Sequence, residues 1–196
     1  MTTRYNVAPG QDVFAVIYDG SKRRGGYIRW GLVPSWAKDE KIGNNIINAR
    51  AETAHEKPSF KRLLTRKRCL IIADSFYEWQ TTEQGKTVHR IQVKDEKLFA
   101  FAGLWDKWEN NNKQLFTCTL LTKDANHFMR PIHHRMPIIL PVEHEESWLT
   151  HTFQHPEEVQ QYVMSLEDPE LQAYEVSSYV NSAKNDDAAC IAPLQQ

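Results

Sequence analysis

The chain has 196 residues, 41% hydrophobic and 25% charged, with a formal net charge of −1. This is enough material for one domain with a proper core, and the composition excludes a disordered or collagen-like chain. Nothing approaches the roughly 18 consecutive apolar residues of a membrane span, and the opening Met-Thr-Thr-Arg-Tyr-Asn lacks the basic-then-apolar pattern of a secretion signal.

Taken in chain order, strands are predicted at 13–18, 27–30, 68–73, 76–79, 88–93, 98–104, 115–121 and 136–140. Each is short and rich in β-branched and aromatic residues, and polar turns such as Asp19-Gly20 and Asn110-Asn111-Asn112 separate them. Helices are expected just after Pro58, at 123–129, at 143–149 and at 156–165, where Pro156 and the following acids suit a first turn. No repeat or linker divides the chain and no βαβ alternation appears, so one α+β domain over 1–196 is expected. Its sheet should be largely antiparallel and curled or barrel-like, with peripheral helices.

Cys69, Cys118 and Cys190 are scattered and form no metal-ligand spacing, so reduced thiols, a cytoplasmic protein and no metal are expected. The charge is unevenly spread. Residues 1–140 carry 23 Lys/Arg against 14 Asp/Glu, whereas residues 141–196 carry one Lys against 11 acids. The stretch 57–68 holds six cations and no acid, which suits either a polyanion or a solvated helix face.

Two segments could carry chemistry. Glu78 stands in Phe76-Tyr77-Glu78-Trp79, where poor solvation would raise its pKa and make it an acid/base; the same pattern also fits an edge-strand glutamate in water. His133 and His134 stand with Arg135 between Pro131 and Pro137, in a stiff polar segment suited to proton transfer or to a structural role. Six tryptophans lie partly among cations, as single-stranded nucleic acid binding requires, with Trp36 the loop candidate for a stacking platform and Trp30 and Trp105 equally suited to the core.

Read together, these segments resemble one family. Arg4-Tyr5-Asn6-Val7-Ala8-Pro9-Gly10, Arg29-Trp30-Gly31-Leu32-Val33-Pro34-Ser35-Trp36 and Asn48-Ala49-Arg50-Ala51-Glu52-Thr53 match its motifs in order. So do Ala73-Asp74-Ser75-Phe76-Tyr77-Glu78-Trp79, Ile132-His133-His134-Arg135-Met136-Pro137 and Val176-Ser177-Ser178-Tyr179-Val180-Asn181-Ser182. On these the chain is identified as a member of the SRAP family, the SOS-response-associated peptidase-like proteins that shield abasic sites in single-stranded DNA.

The resemblance implies a mechanism and a cast. The family's N-terminal cysteine condenses its α-amine with the aldehyde of a ring-opened abasic sugar, and its thiol closes a thiazolidine. An α-amine titrating near pH ~8 is a competent nucleophile for that step. Glu78 would shuttle protons, His133 would assist ring opening and crosslink reversal, and Asn48 would position the N-terminus and sugar oxygens. Arg50 and Arg135 would hold phosphates, and Trp36, Trp79 and Pro9 would pack on bases, with Asn6 also at the DNA. No cofactor is implied, and a monomer is expected, nucleoid-associated in a bacterium.

Two departures stand out. The sequence opens Met1-Thr2-Thr3 directly before the first motif, so the cysteine-led segment is expected to be lacking here, leaving no nucleophile. His134 also replaces the family's usual Asp. A non-covalent single-stranded DNA binding module is therefore the alternative. A peptidase acting on other proteins is a further one, for which no Ser/His/Asp order is present.

Overall fold

The computed structural model describes residues 3–110 and 112–194; Thr2, and Asn111 of the expected turn, lie outside them. The strands are β1 (Asp12–Tyr18), β2 (Arg23–Trp30), β3 (Asn48–Arg50), β4 (Arg68–Ala73), β5 (Phe76–Thr82), β6 (Gly85–Val93) and β7 (Phe99–Asn110). They continue as β8 (Lys113–Asp124), β9 (Arg135–Pro137), β10 (Ile139–Leu140) and β11 (Leu171–Val176). Three α-helices, α1 (Lys61–Arg66), α2 (Val142–Thr150) and α3 (Pro156–Ser165), complete the main elements.

Strands β7, β4, β1, β2 and β8 are hydrogen-bonded in that order, and β8 pairs again with β7, closing a five-stranded barrel. Closure removes the exposed edges that an open sheet would leave. The β2–β8 contact is parallel and the others in the ring antiparallel, so the barrel is mixed. Outside the ring, β3 lies parallel to β8, while β9 pairs with β8 and β10 with β7. A second, antiparallel sheet runs β11–β6–β5. The curled α+β architecture read from the sequence is thus present.

Alternate residues of the barrel strands feed two cores. Leu70, Ala100, Ala102 and Leu104 pack with Leu63, Leu64, Trp148, Val159 and Val163 of the helices. Cys69, Ile71, Phe99 and Phe101 point the other way and join Ile91, Met129 and Met136. Both faces of β4 and β7 are buried, which explains their nearly continuous apolar runs. Arg68 is buried too, donating to the carbonyls of Leu64 (2.8 Å), Trp148 (2.5 Å) and His151 (2.5 Å). Lys67 is paired with Asp106 at 2.6 Å. Two of the six cations of the basic stretch are therefore structural, and Lys57, Lys61, Arg62 and Arg66 stay exposed.

One expected element is absent. The segment 123–129 is not a helix: β8 runs on to Asp124, and a turn follows in which the Asn126 side chain accepts from Met129 N at 3.0 Å. Asn126 favours this turn by offering the backbone an acceptor that competes with the helical one.

The two chain ends clasp each other. Asp186 Oδ1 accepts from Tyr5 N (2.6 Å) and Asn6 N (2.9 Å), and its other oxygen pairs with Arg4. The Asn6 amide donates to the carbonyls of Val180, Ser182 and Asn185 at 2.9–3.1 Å. Tyr77 of β5 donates to Tyr5 O at 2.6 Å, tying the clasp to the second sheet.

The segment that leads into β3 is set by two facing glycines. Gly31, at φ +132°, is in a region L side chains rarely adopt, and a Cβ there would stand 2.7 Å from Gly43 O. A Cβ on Gly43 would meet Gly31 O at 2.7 Å and Val33 Cγ2 at 2.9 Å. Gly43→Ala is expected to cost about 1–3 kcal/mol, the usual range for overpacking, and a urea titration measures it. Unchanged stability would show that the contact relaxes freely.

Candidate active site

A cleft of about 920 Å³ opens between the barrel and the second sheet. Its lining includes eight of the nine residues expected at the site: Asn6, Pro9, Asn48, Arg50, Glu78, Trp79, His133 and Arg135. Trp36 is the exception. It is 60% exposed and lies outside the residues that line the cleft. The signal that suggested it, a tryptophan after Pro-Ser, marks a loop but not which way the loop faces.

Glu78 sits in β5 with its side chain only 22% exposed. Burial pushes its carboxyl above the ordinary range, while the nearby His133 and the Trp79 backbone N–H pull it back down. His133 Nδ1 lies 3.8 Å from Glu78 Oε2. The same nitrogen stands 3.2 Å from Arg135 N and 3.0 Å from Arg135 O. It accepts from the amide when unprotonated and donates to the carbonyl when protonated, so either state finds a partner. His134 does not line the cleft, which leaves His133 as the histidine facing Glu78.

The loop carrying His133 is pinned at several points. Ile132 N and His133 N both donate to Met129 O at 2.9 Å, and Met129 is fully buried. Gln80 Nε2 donates to Pro131 O at 2.9 Å, and Gln80 Oε1 meets His89 Nε2 at 3.0 Å. Gln80 lies two residues beyond Glu78 on the same strand and face, so one strand fixes both partners of the pair. Sequence reading missed Gln80, because a polar residue near a strand end carries no signal until its partner 51 positions away is known.

Two expected DNA contacts are differently employed. The Arg135 guanidinium meets Glu52 through both terminal nitrogens (2.7 and 2.8 Å), and also Asp124 (2.5 Å) and Thr122 O (2.9 Å). Burial raises the Glu52 carboxyl, but Arg135 outweighs it and holds Glu52 below the usual carboxylate range. Arg135 is thus a bidentate tie between the chain after β3 and β8, not a free phosphate ligand. The Asn6 amide is consumed by the terminal clasp. Trp79 keeps 39% exposure with its indole donating to Asn181 at 2.7 Å. Asn48 and Arg50 are exposed and make no side-chain hydrogen bond or ion pair among the described residues, which leaves them open to a ligand.

The cysteines are not part of the site. Cys69, Cys118 and Cys190 are buried and free, and burial pushes the Cys69 and Cys118 thiols well up, away from the reactive thiolate. Among the described residues, no group of three or more His, Cys, Asp or Glu is placed to hold a metal, and no helix is long and apolar enough to cross a membrane.

A mixed barrel with a flanking sheet frames a large cleft in which a half-buried glutamate faces a half-buried histidine. Residues 1–183 match the family model for SOS response associated peptidase (SRAP), and the chain belongs to that family. It is 51% identical over 186 residues to the abasic site processing protein YoaM of Bacillus subtilis, covering 94% of this chain and 82% of that one. It is 34% identical to the abasic site processing protein HMCES of Gallus gallus, covering 90% of this chain and 60% of that one. A crystal structure of a protein from Bacteroides thetaiotaomicron superposes with a TM-score of 0.84 at 28% identity, over 95% of this chain and 82% of that one.

The raised Glu78 pKa has a consequence for stability. Between the ordinary carboxylate range and its folded value, Glu78 holds its proton in the folded state and loses it in the unfolded one. Its contribution is therefore full at acid pH and is lost as pH rises through the folded value. Glu78→Gln removes that loss, so its melting temperature is expected to gain on wild type between pH 4 and pH 8. A difference that stays flat across that range would mean that Glu78 is well solvated.

Proposed function

We propose that this protein processes abasic sites in single-stranded DNA, with the cleft holding the opened sugar and Glu78 and His133 moving its protons. The observation that carries this reading is the half-buried Glu78 carboxyl, 3.8 Å from His133, in a cleft where Asn48 and Arg50 have no side-chain partner among the described residues. The similarity to proteins named abasic site processing proteins supports it.

The chemistry suits such a pair. An abasic deoxyribose is a cyclic hemiacetal: opening it takes the proton from the anomeric hydroxyl and returns one to the ring oxygen, freeing the aldehyde. An α-amine adding to that aldehyde gives a carbinolamine, which leaves as water plus imine only if its hydroxyl is protonated. A carboxyl whose pKa is raised above the ordinary carboxylate range can donate in that step and accept in the reverse one. In the full family reaction a vicinal thiol then adds across the imine, its proton passing to nitrogen, to close a thiazolidine. That nucleophile is an N-terminal cysteine, a role none of the three buried cysteines can fill. Arg50 holds a flanking phosphate and Asn48 a sugar oxygen.

A second reading is non-covalent binding of single-stranded DNA by the same cleft, which needs no thiol and is compatible with the burial of Cys69, Cys118 and Cys190. An abasic oligonucleotide resolved on a denaturing gel separates the two. Expressed as residues 1–196 with Thr2, the protein is expected to bind without a heat-stable adduct. With an opening segment led by Cys-Gly-Arg-Phe it should form one, and Glu78→Gln should slow adduct formation about 100-fold. An adduct that forms equally on undamaged DNA, or at the same rate in Glu78→Gln, would overturn the covalent reading. For binding itself, Arg50→Ala should lower the slope of log affinity against log salt by about 0.7, one phosphate contact to a single strand. Trp36→Ala should leave binding unchanged.

A further inference from the structure

The barrel side of the cleft carries an aromatic pair that none of the chemistry above uses. Phe14 of β1 and Tyr27 of β2 are direct cross-strand partners. Their ring centroids stand 5.5 Å apart with planes at 76°, an edge-to-face pair. Both line the same cleft as Glu78 and Arg50. Tyr27 is 54% exposed, and its hydroxyl makes no hydrogen bond among the described residues. An aromatic side chain held by a neighbouring ring yet open to solvent is a preorganised surface that loses little entropy on contact.

The local sequence makes room for this pair. A Cβ at position 25 would stand 2.8 Å from Phe14 Cζ, so Gly25 lets the Phe14 ring lie over β2 beside Tyr27. In Arg23-Arg24-Gly25-Gly26-Tyr27 two glycines thus precede the exposed ring in a strand that would otherwise favour β-branched residues. Leu98, 62% exposed, adds apolar surface to the same cleft, and Arg50 supplies a positive charge with no ion-pair partner among the described residues. Exposed π-faces beside a free cation are the combination that single strands use, with bases on rings and phosphates on arginine. Of the aromatic residues that β5 contributes to the cleft, Phe76, Tyr77 and Trp79, the most exposed is Trp79, whose indole N–H is fixed on Asn181.

We propose that Tyr27, backed by Phe14, is a seat on which an unpaired nucleobase next to the abasic sugar stacks. The inference rests on the reading of the cleft as an abasic-site cleft and names a contact which that reading does not require. Stacking on a ring reads no base edge, so the seat accepts every base and gains most from the larger purines.

The test uses 2-aminopurine placed beside the abasic site, on the 5′ side in one oligonucleotide and on the 3′ side in another. Stacking on Tyr27 should quench its fluorescence from one side, and Tyr27→Ala should abolish that quenching and weaken binding about 10-fold. Tyr27→Trp should retain both, whereas Tyr27→Leu, which keeps apolar cover without a π-face, should behave as Tyr27→Ala. The salt slope should not change in any of these variants, because no phosphate contact is touched. If Tyr27→Ala binds and quenches like wild type while Arg50→Ala is weakened, the cleft binds DNA and the stacking seat is refuted. If Tyr27→Leu binds and quenches as wild type, apolar cover and not stacking is the role of the ring. If wild type does not bind abasic single strands at all, the seat falls together with the reading beneath it.

Discussion

The cleft depends on keeping one carboxylate short of water. Glu78 gains no direct hydrogen bond from His133 at 3.8 Å, and what it has in compensation is a nearby ring and a backbone N–H. A carboxyl left in that position costs stability when it ionises, so the surrounding chain must be stiff enough to prevent its escape to solvent. That stiffness is visible on every side. The hairpin of β5 with β6 holds the strand, Gln80 and Met129 hold the facing loop, and the Arg135–Glu52 tie holds the chain beyond Asn48 and Arg50.

The terminal clasp serves the same end from the other wall. Residues 4–6 meet Asp186, the carbonyls between 180 and 185, and the Tyr77 hydroxyl, and residues 3–9 form part of the cleft lining. Burial alone would raise the Asp186 carboxyl, but the Tyr5 and Asn6 amides and Arg4 hold it below the usual range. Residues 3–9 and Val180, Asn181 and Ala183, distant in sequence, thus form one wall of the cleft.

How much of this could be read from the sequence divides along physical lines. The long strands announce themselves because β4, β7 and β8 bury both faces, and β1, β6 and the start of β5 carry aromatic and β-branched residues. Strand β3 has only three residues and is held by register with Leu120–Thr122, so no local pattern marks it. Strand β11 carries Gln172 and Glu175 among its apolar residues and hides in a chain segment dominated by acids. At the site, motif order brought together Asn48, Arg50, Glu78 and His133. It did not tell a free arginine from a spent one, since Arg135 is neutralised by Glu52, 83 positions away. Nor did it distinguish Trp36, exposed outside the cleft, from Tyr27, exposed within it.

The decisive quantity is the ionisation of Glu78 in the folded protein. Carboxyl carbon chemical shifts of Glu78 followed by NMR across pH, in wild type and in His133→Ala, measure it directly. In wild type Glu78 is expected to titrate above the ordinary glutamate range. Removing His133, whose proximity favours the charged form, should move the titration higher still. A Glu78 that titrates at or below the ordinary glutamate value, and that ignores the loss of His133, would contradict a desolvated acid facing a histidine and with it the acid–base role of the cleft.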